Sequence, residues 1–312
     1  MPVIHGSKSY LVLFAESTWG TTPGTPVYYQ VPVDSYSVKM NRDRRNATPF
    51  VGLLQRKHGK SFRGMPAGQL VANLHGYKPN SNSLTIMQYL VDWAMSEPET
   101  VEKLSKGADW AEGPDVSNVR HSGLRVNGWT IEGSADSGTV TITLDLMGKT
   151  EAALVTAQTL PADRELCVQM EFRDCTFALG GVEQSLRSFR WQGQNNLQAT
   201  YLNATSPSHL SAGQLVETLS FTLMKTGDTY NAYQRAFSEV EMTGQIVLKA
   251  SHNGTGSTGN FTLLTVDFNR LAFVSPDDTR NITSLMEQTL GFDVLKPDSS
   301  SAAKTLTYSE SA

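Results

Sequence analysis

The sequence predicts a mainly β protein built from two related β-sandwich or barrel domains, each with a short flanking helix. Short alternating runs of apolar and polar residues, bounded by Gly, Asn, Asp or Ser, recur along the chain and read as strands. Helical signals are sparse. The pentapeptide AGQLV occurs twice, at 67–71 and 212–216, and its surroundings repeat loosely in the same order, which points to a duplicated unit.

The strand signals are clearest at 9–14, 124–131, 139–146, 168–172, 219–223, 245–249 and 261–268. Segments 124–131 and 140–146, joined by a Gly- and Ser-rich turn, read as a hairpin. Its alternation sets Val140, Ile142, Leu144 and Leu146 on one face and Thr141, Thr143 and Asp145 on the other, as in a sheet with one buried side. Helices are expected over 83–95, over 98–106 and around 230–240. Tyr89 and Trp93 in the first, like Tyr233 and Phe237 in the last, stand four residues apart, so one helix face buries both.

Upstream of the first AGQLV stand Ser35, Tyr36, Ser37 and Val38, and upstream of the second Ser188, Phe189, Arg190 and Trp191, each reading as a strand that ends in a polar turn. The spacing from Ser35 to Ala67 is 32 residues and from Ser188 to Ala212 is 24, so the extra length falls in a loop. The repeat divides the chain into a first domain over 1–160 with a long basic loop at 41–66, a second over 161–297, and a flexible tail over 298–312, since the stretch 297–304 has no core-forming residues.

Among 312 residues, 39% are hydrophobic and 18% charged, a folded composition with enough apolar surface for a core in each half. The net charge of −4 argues against a dedicated nucleic-acid binder. Cys167 and Cys175 fit no zinc, haem or redox spacing and read as buried thiols, although a hairpin disulfide is the alternative. Asn46, Asn203, Asn253, Asn260 and Asn281 begin glycosylation sequons, but no secretory signal is legible: the apolar stretch 10–15 is too short and runs into Glu16. No apolar run is long enough to cross a bilayer as a helix.

Catalytic motifs are absent from the sequence: no His-Glu-x-x-His, no Gly-x-Ser-x-Gly and no phosphate-cradling Gly-rich loop. The six histidines are scattered, and none pairs at metal-ligand spacing. His121, Ser122 and Asp115 can be drawn as a triad, but they are placed on one polar loop, where proximity in sequence says little about geometry. Neither a cofactor nor a metal is expected. Trp129 and Trp191 fall within strands and read as core, while Trp19, Trp93 and Trp110 are too dispersed for a sugar-binding shelf.

The segment from Arg42 to Arg63 is the feature least explained by a plain domain. It carries Arg42, Arg44, Arg45, Arg56, Lys57, Lys60 and Arg63 against Asp43 alone, a local balance of +6 that leaves −10 for the rest of the chain. Such polarity suits self-association, in which the basic segment of one subunit meets the acidic surface of the next, with Phe50, Val51, Leu53 and Leu54 as the apolar anchors. A nucleic-acid arm and a solvated basic loop are the other two readings.

Several stretches resemble the major tail tube proteins of long-tailed, siphovirus-like bacteriophages, in the two-domain type. They are YLVLFAESTWGTTPGTPVYYQVPVDSYSVKMNR with its Glu-Ser-Thr-x-Gly-Thr-x-Pro core at 16–23, ATPFVG at 47–52, GMPAGQLVANLHGY from Gly64, and SFRWQGQNNL at 188–197. The resemblance implies a non-enzymatic structural subunit, assembled in the host bacterial cytoplasm and residing in the virion. It implies trimeric, hexamer-like rings that stack into a tube, contacts with tape measure, tail terminator and tail tip proteins, no membrane, and DNA passing through the lumen without specific binding. A non-catalytic β-sandwich binding module, for instance one recognising carbohydrate, is the alternative function.

Overall fold

The computed structural model describes residues 9–47, 58–76, 86–95, 105–111, 118–154, 169–224, 234, 238, 241–251, 261–277, 287–296 and 302–311. The protein is mainly β, with strands joined into one large antiparallel sheet system.

In the first half the strands are β1 (Tyr10–Ala15), β2 (Tyr29–Val31), β3 (Ser35–Tyr36), β4 (Lys39–Ala47) and β5 (His58–Asn73). Helix α1 (Ile86–Ala94) follows, then β6 (Lys106–Ala111), β7 (Asn118–Ser134), β8 (Val140–Met147) and β9 (Thr150–Leu154). One layer runs β2, β1, β6, the N-terminal part of β7, and β9. The other runs β3 and β4, β5, β8 and the C-terminal part of β7. Strand β7 thus crosses from one layer to the other.

The second half repeats this plan with β10 (Thr176–Leu179), β11 (Val182–Glu183), β12 (Leu186–Gln194), β15 (Val216–Met224), β16 (Glu241–Ser251), β17 (Phe261–Asp277), β18 (Glu287–Val294) and β19 (Lys304–Ser311). A small hairpin, β13 (Gln198–Thr200) with β14 (His209–Ser211), lies between β12 and β15. Every pairing of the first half has its counterpart, with β10 to β11 and β16, β12 to β15, β15 to β18, and β17 to β16, β18 and β19.

The correspondence extends to irregularities of the backbone. A bulge between Lys106 and Ala108 opposite β7 recurs between Met242 and Gly244 opposite β17. A second, between Val126 and Gly128 in β7, recurs between Phe273 and Ser275 in β17. Both matches place each β17 residue 147 positions after its β7 counterpart. Bulges bend a strand and re-aim its side chains, so two shared at one offset fix the alignment of the halves.

This alignment pairs Ser35 with Ser188, as the sequence flanks suggest, but it does not pair the two AGQLV segments. Ser35 lies opposite Val71 and Ser188 opposite Thr222, so Val71 corresponds to Thr222, six residues beyond Val216. The first pentapeptide lies inside β5; the second is mostly the connection leading into β15. The identity is therefore out of step.

The layers meet over a contiguous apolar core. Strand β8 buries Val140, Ile142, Leu144 and Leu146. Phe177 from one layer stacks on Phe221 from the other at 3.6 Å between ring centroids. Helix α1 buries Tyr89 and Trp93, with Tyr89 stacked on Tyr29 at 4.2 Å. Glu16 is buried because its carboxylate accepts from the Ser105 hydroxyl (2.9 Å) and from the amides of Gly20 (2.8 Å) and Gly123 (2.9 Å). Gly20 has φ +69, so the Glu-Ser-Thr-x-Gly stretch is a turn tied down at both ends.

Several expectations change. Residues 304–311, assigned to a flexible tail, form β19 and pair with β17 from Phe261↔Ser311 to Phe268↔Lys304. The alternation of Leu306 and Tyr308, which pack against the core, was the missed signal. Within the strand expected at 168–172, the described residues form two isolated bridges, at Gln169 and Glu171, and lead into a 3-10 turn at Phe172–Asp174. Lys106 begins a strand rather than ending a helix. Gln234 and Ser238 are both helical, while 225–233 and 155–168, the latter holding much of the expected domain boundary, lie outside the described residues.

Candidate functional site

The two halves join edge to edge. Strand β12 pairs antiparallel with the C-terminal part of β7, from Ser188↔Ser134 to Gln194↔Gly128 without a register shift. The outer layer is therefore one sheet of eight strands across the whole chain: β4, β5, β8, β7, β12, β15, β18 and β17.

On the core side of this junction Trp129 of β7 and Trp191 of β12 meet edge to face, ring centroids 4.8 Å apart, and Trp191 meets Phe268 in the same manner at 5.1 Å. Both tryptophans are almost wholly buried. Gly193 is required here: a Cβ would come within 2.5 Å of the Trp129 indole, so the ring lies directly on the backbone. The Lys304 ammonium sits over both rings, paired with the Glu217 carboxylate.

Beyond the strand ends the junction continues through buried polar groups. The Asn195 amide donates to the Asn127 carbonyl (2.7 Å), its side chain donates to Val126 O (2.8 Å), and Leu197 N donates to Asn127 Oδ1 (2.8 Å). A second tie lies far from the ladder, where the Tyr308 hydroxyl on β19 donates to Asp92 Oδ1 on α1 (2.9 Å). Burial raises the pKa of both groups. Beside them the Lys106 ammonium lies 3.5 Å from the Tyr89 ring centroid, and desolvation pushes its pKa down to about 7.

The other face of the eight-stranded sheet is polar. One cross-strand row reads Val71, Thr143, Thr130, Gln192, Thr218 and Asp293; the next reads Asn73, Thr141, Glu132, Arg190, Ser220 and Gly291. Within these rows Arg190 is the one base, 3.8 Å from Glu132, and both are exposed.

The basic segment expected as a loop has strands for arms. Arg42, Arg44 and Arg45 lie on β4 and Lys60 and Arg63 on β5, paired as a long hairpin. Phe50, Val51, Leu53, Leu54, Arg56 and Lys57 lie outside the described residues. At its base the hairpin leans on the second half: the Gly64 amide donates to Thr205 O (2.8 Å), and the Arg63 guanidinium lies 5.0 Å from the Tyr201 ring centroid.

His121 and Ser122 lie on strand β7 rather than on a loop, and Asp115 falls outside the described residues. His121 is buried and its pKa lowered by desolvation. Its Nε2 lies 3.2 Å from the Glu151 carboxylate, which can only accept, so Nε2 carries the proton and Nδ1 accepts from the Tyr36 hydroxyl at 2.8 Å. Glu151 also accepts from the Met40 amide on the outer edge of β4 (2.6 Å). The Cys175 thiol is free, its pKa pushed up to about 12 by burial, which suits a packing residue rather than a nucleophile. Among the described residues no three His, Cys, Asp or Glu side chains gather as a metal site.

A family model described as "Phage tail tube protein" matches residues 6–294, nearly the whole chain. The chain belongs to the phage tail tube protein family. As a tail tube protein it is a structural component of a phage tail and its place is in the virion, in a family that is generally non-enzymatic and that assembles into a tube. No curated protein gives a significant match. The eight-stranded sheet is continuous across both halves, with one apolar and one polar face. Sequence reasoning found the alternation on β8 but missed the β7 to β12 junction, which joins segments more than fifty residues apart.

Proposed function

We propose that this chain is the major tail tube subunit of a long-tailed phage or prophage, forming rings by edge-to-edge pairing of its eight-stranded sheet and a tube by stacking those rings. The observation that carries this reading is the β7 to β12 ladder, which already joins two topologically equivalent units side by side in one chain. A unit that pairs with its own duplicate through unlike edges pairs heterologously, and such contacts close into rings when the rotation permits. Closure also removes exposed strand edges that would otherwise aggregate.

The polar face then lines the channel. Its Thr-, Ser- and Gln-rich rows, with one ion-paired arginine, give DNA few cations to bind, so passage is not slowed by phosphate neutralisation. Ring size follows from strand spacing: three copies supply about 24 strands of ~4.8 Å, a backbone diameter of roughly 37 Å before strand tilt widens it. After inward side chains are allowed for, this admits a duplex about 20 Å wide, whereas two copies, at roughly 24 Å, do not. The basic hairpin of β4 and β5, with Phe50, Val51, Leu53 and Leu54 in its connecting segment, is the contact to the adjacent subunit or ring. The tape measure, terminator and tip proteins of the same tail are its remaining partners.

Negative-stain electron microscopy of the purified protein, dilute and concentrated, tests this. Rings or hollow tubes with threefold or pseudo-sixfold end views are expected. A monodisperse monomer at high concentration that binds a glycan saturably would favour the binding-module reading instead.

A further inference from the structure

The internal junction specifies a second one. In the alignment of the halves, β12 corresponds to β3 and β4 with an offset of 153 (Ser35 to Ser188), and β7 corresponds to β17 with an offset of 147. Strands β7 and β12 are each paired on both sides. Their counterparts are not: among the described residues β4 pairs only with β5, and Ser275–Asp277 pairs only with β18. The chain thus ends its sheet, on each side, with one half of a junction it contains complete at the centre.

Resting on the ring reading above, we propose that Ser275–Asp277 of one copy pairs antiparallel with Lys39, Met40 and Asn41 of the next, in the register of the internal ladder. The internal pairs Gln192↔Thr130, Gly193↔Trp129 and Gln194↔Gly128 translate to Lys39↔Asp277, Met40↔Pro276 and Asn41↔Ser275. The sequence supports this register in two ways. It sets a base opposite an acid, and like charges opposed across strands destabilise a pair whereas unlike ones stabilise it.

The second support comes from hydrogen-bond direction. In the internal ladder the Asn195 amide donates to Asn127 O and the Ala135 amide to Arg187 O, so the odd-numbered residues of β7, Trp129 included, turn their polar groups toward β12. Pro276 holds the position of Trp129 and has no N–H to offer. Its carbonyl accepts from the Met40 amide while the Met40 carbonyl receives no donor from it, so the seam pair keeps one of the two bonds of its internal counterpart, and no N–H on β17 is stranded there when the subunit is alone. Proline is tolerated in sheets at such edge positions, where it blocks pairing with strands that demand a donor. The Met40 amide is the group held by Glu151 in the free subunit, at 2.6 Å, so the bond to Pro276 replaces one already made.

Paired cysteines test the register. Asn41→Cys with Ser275→Cys, in a background of Cys167→Ser and Cys175→Ala, places two thiols on directly opposed residues within disulfide reach. In one chain these positions lie seven strand spacings apart, about 34 Å along the sheet, so any bond between them joins two copies. Oxidation of assembled protein should give a reducible ladder of covalent dimers and trimers, at least ~10-fold more abundant than from Lys39→Cys with Ser275→Cys, a diagonal pair beyond disulfide geometry. Mixing the two single mutants should stop at dimers. Independently, Asp277→Lys should block assembly, and Lys39→Asp in the same chain should restore it, with unchanged Tm of the dispersed subunit in both. Rings that form without the Asn41 to Ser275 cross-link and without charge rescue overturn the seam and leave the tube function standing. Protein that shows neither rings nor cross-links at any concentration overturns both.

Discussion

Among the described residues the two halves share eight corresponding strand segments and two bulges, yet polar contacts at equivalent positions differ in kind. Asp109 takes a bidentate bond from Arg120 (2.6 Å for both contacts) where the second half has Gln245 donating to Asp267 (2.7 Å). Lys106 corresponds to Met242, and Glu151, which holds the β4 edge, corresponds to Lys304, which sits over the junction tryptophans. What the halves preserve is apolar alternation and the placing of bends; what they exchange is the chemistry around them. A duplicated fold is held by where its backbone turns and what it buries, and its polar groups are free to diverge as long as each finds a partner.

The largest expected effect lies where equivalent segments of nearly equal length are built differently: the β4 to β5 ladder runs out to Ala47↔His58, whereas the β12 to β15 ladder stops at Gln194↔Val216 and the chain between closes in the β13 to β14 hairpin. The basic hairpin has no counterpart of equal reach in the second half, and Phe50, Leu53 and Leu54→Ser together should abolish polymerisation while leaving subunit Tm within about 2 °C, as expected of residues that serve assembly and not the core. Tubes of unchanged yield would remove the hairpin from assembly.

Exchanging residues between equivalent positions should follow in size. Met40 on the free edge corresponds to Gly193 in the junction. Gly193→Met forces a side chain into the space of the Trp129 ring and should cost about 3 kcal/mol by denaturant unfolding. The reverse exchange, Met40→Gly, should cost less than about 1 kcal/mol in the dispersed subunit. Equal effects would mean that the junction is not shaped by that glycine.

Lys106→Met, which copies the second half, sharpens the same comparison through pH. With its folded pKa pushed down to about 7 from an unfolded value near 10.5, Lys106 binds fewer protons folded than unfolded across that window. Wild-type stability therefore gains from this group as pH rises from about 7 toward 10.5, and its penalty is full below pH 7. The methionine variant should melt several degrees higher at pH 6 and lose that part of the slope between pH 7 and 9. An unchanged melting profile would show that the ammonium is not desolvated by its site.

The smallest effect belongs to the open face. Arg190→Ala removes an exposed pair with Glu132 and should change stability by less than about 0.5 kcal/mol.

Much of this architecture is legible in the sequence where burial alone decides it. The β8 alternation, the paired Tyr89 and Trp93, and the core placement of Trp129 and Trp191 follow from periodicity. The N-terminal part of β7 does not, because Arg120, His121 and Ser122 read as a polar loop. Arg120 and His121 are accommodated in a strand because Asp109, Tyr36 and Glu151 satisfy them from other segments. The AGQLV identity misled for the opposite reason: five matching letters say nothing of which sheet neighbour each faces, whereas the bulges do.

In the ring proposed above, the β7 to β12 ladder has one further consequence, for the kinetics of closure. Because every other joint is made within a chain, its two edges meet at an effective concentration set by the polypeptide rather than by diffusion. A ring of such chains loses translational freedom at half as many joints as a ring of single units with the same circumference. The covalent pair, held at Tyr308 and Asp92 as well as along the ladder, also arrives with its two halves already joined in register. Each subunit thus delivers a finished arc, and the search that remains concerns only its ends.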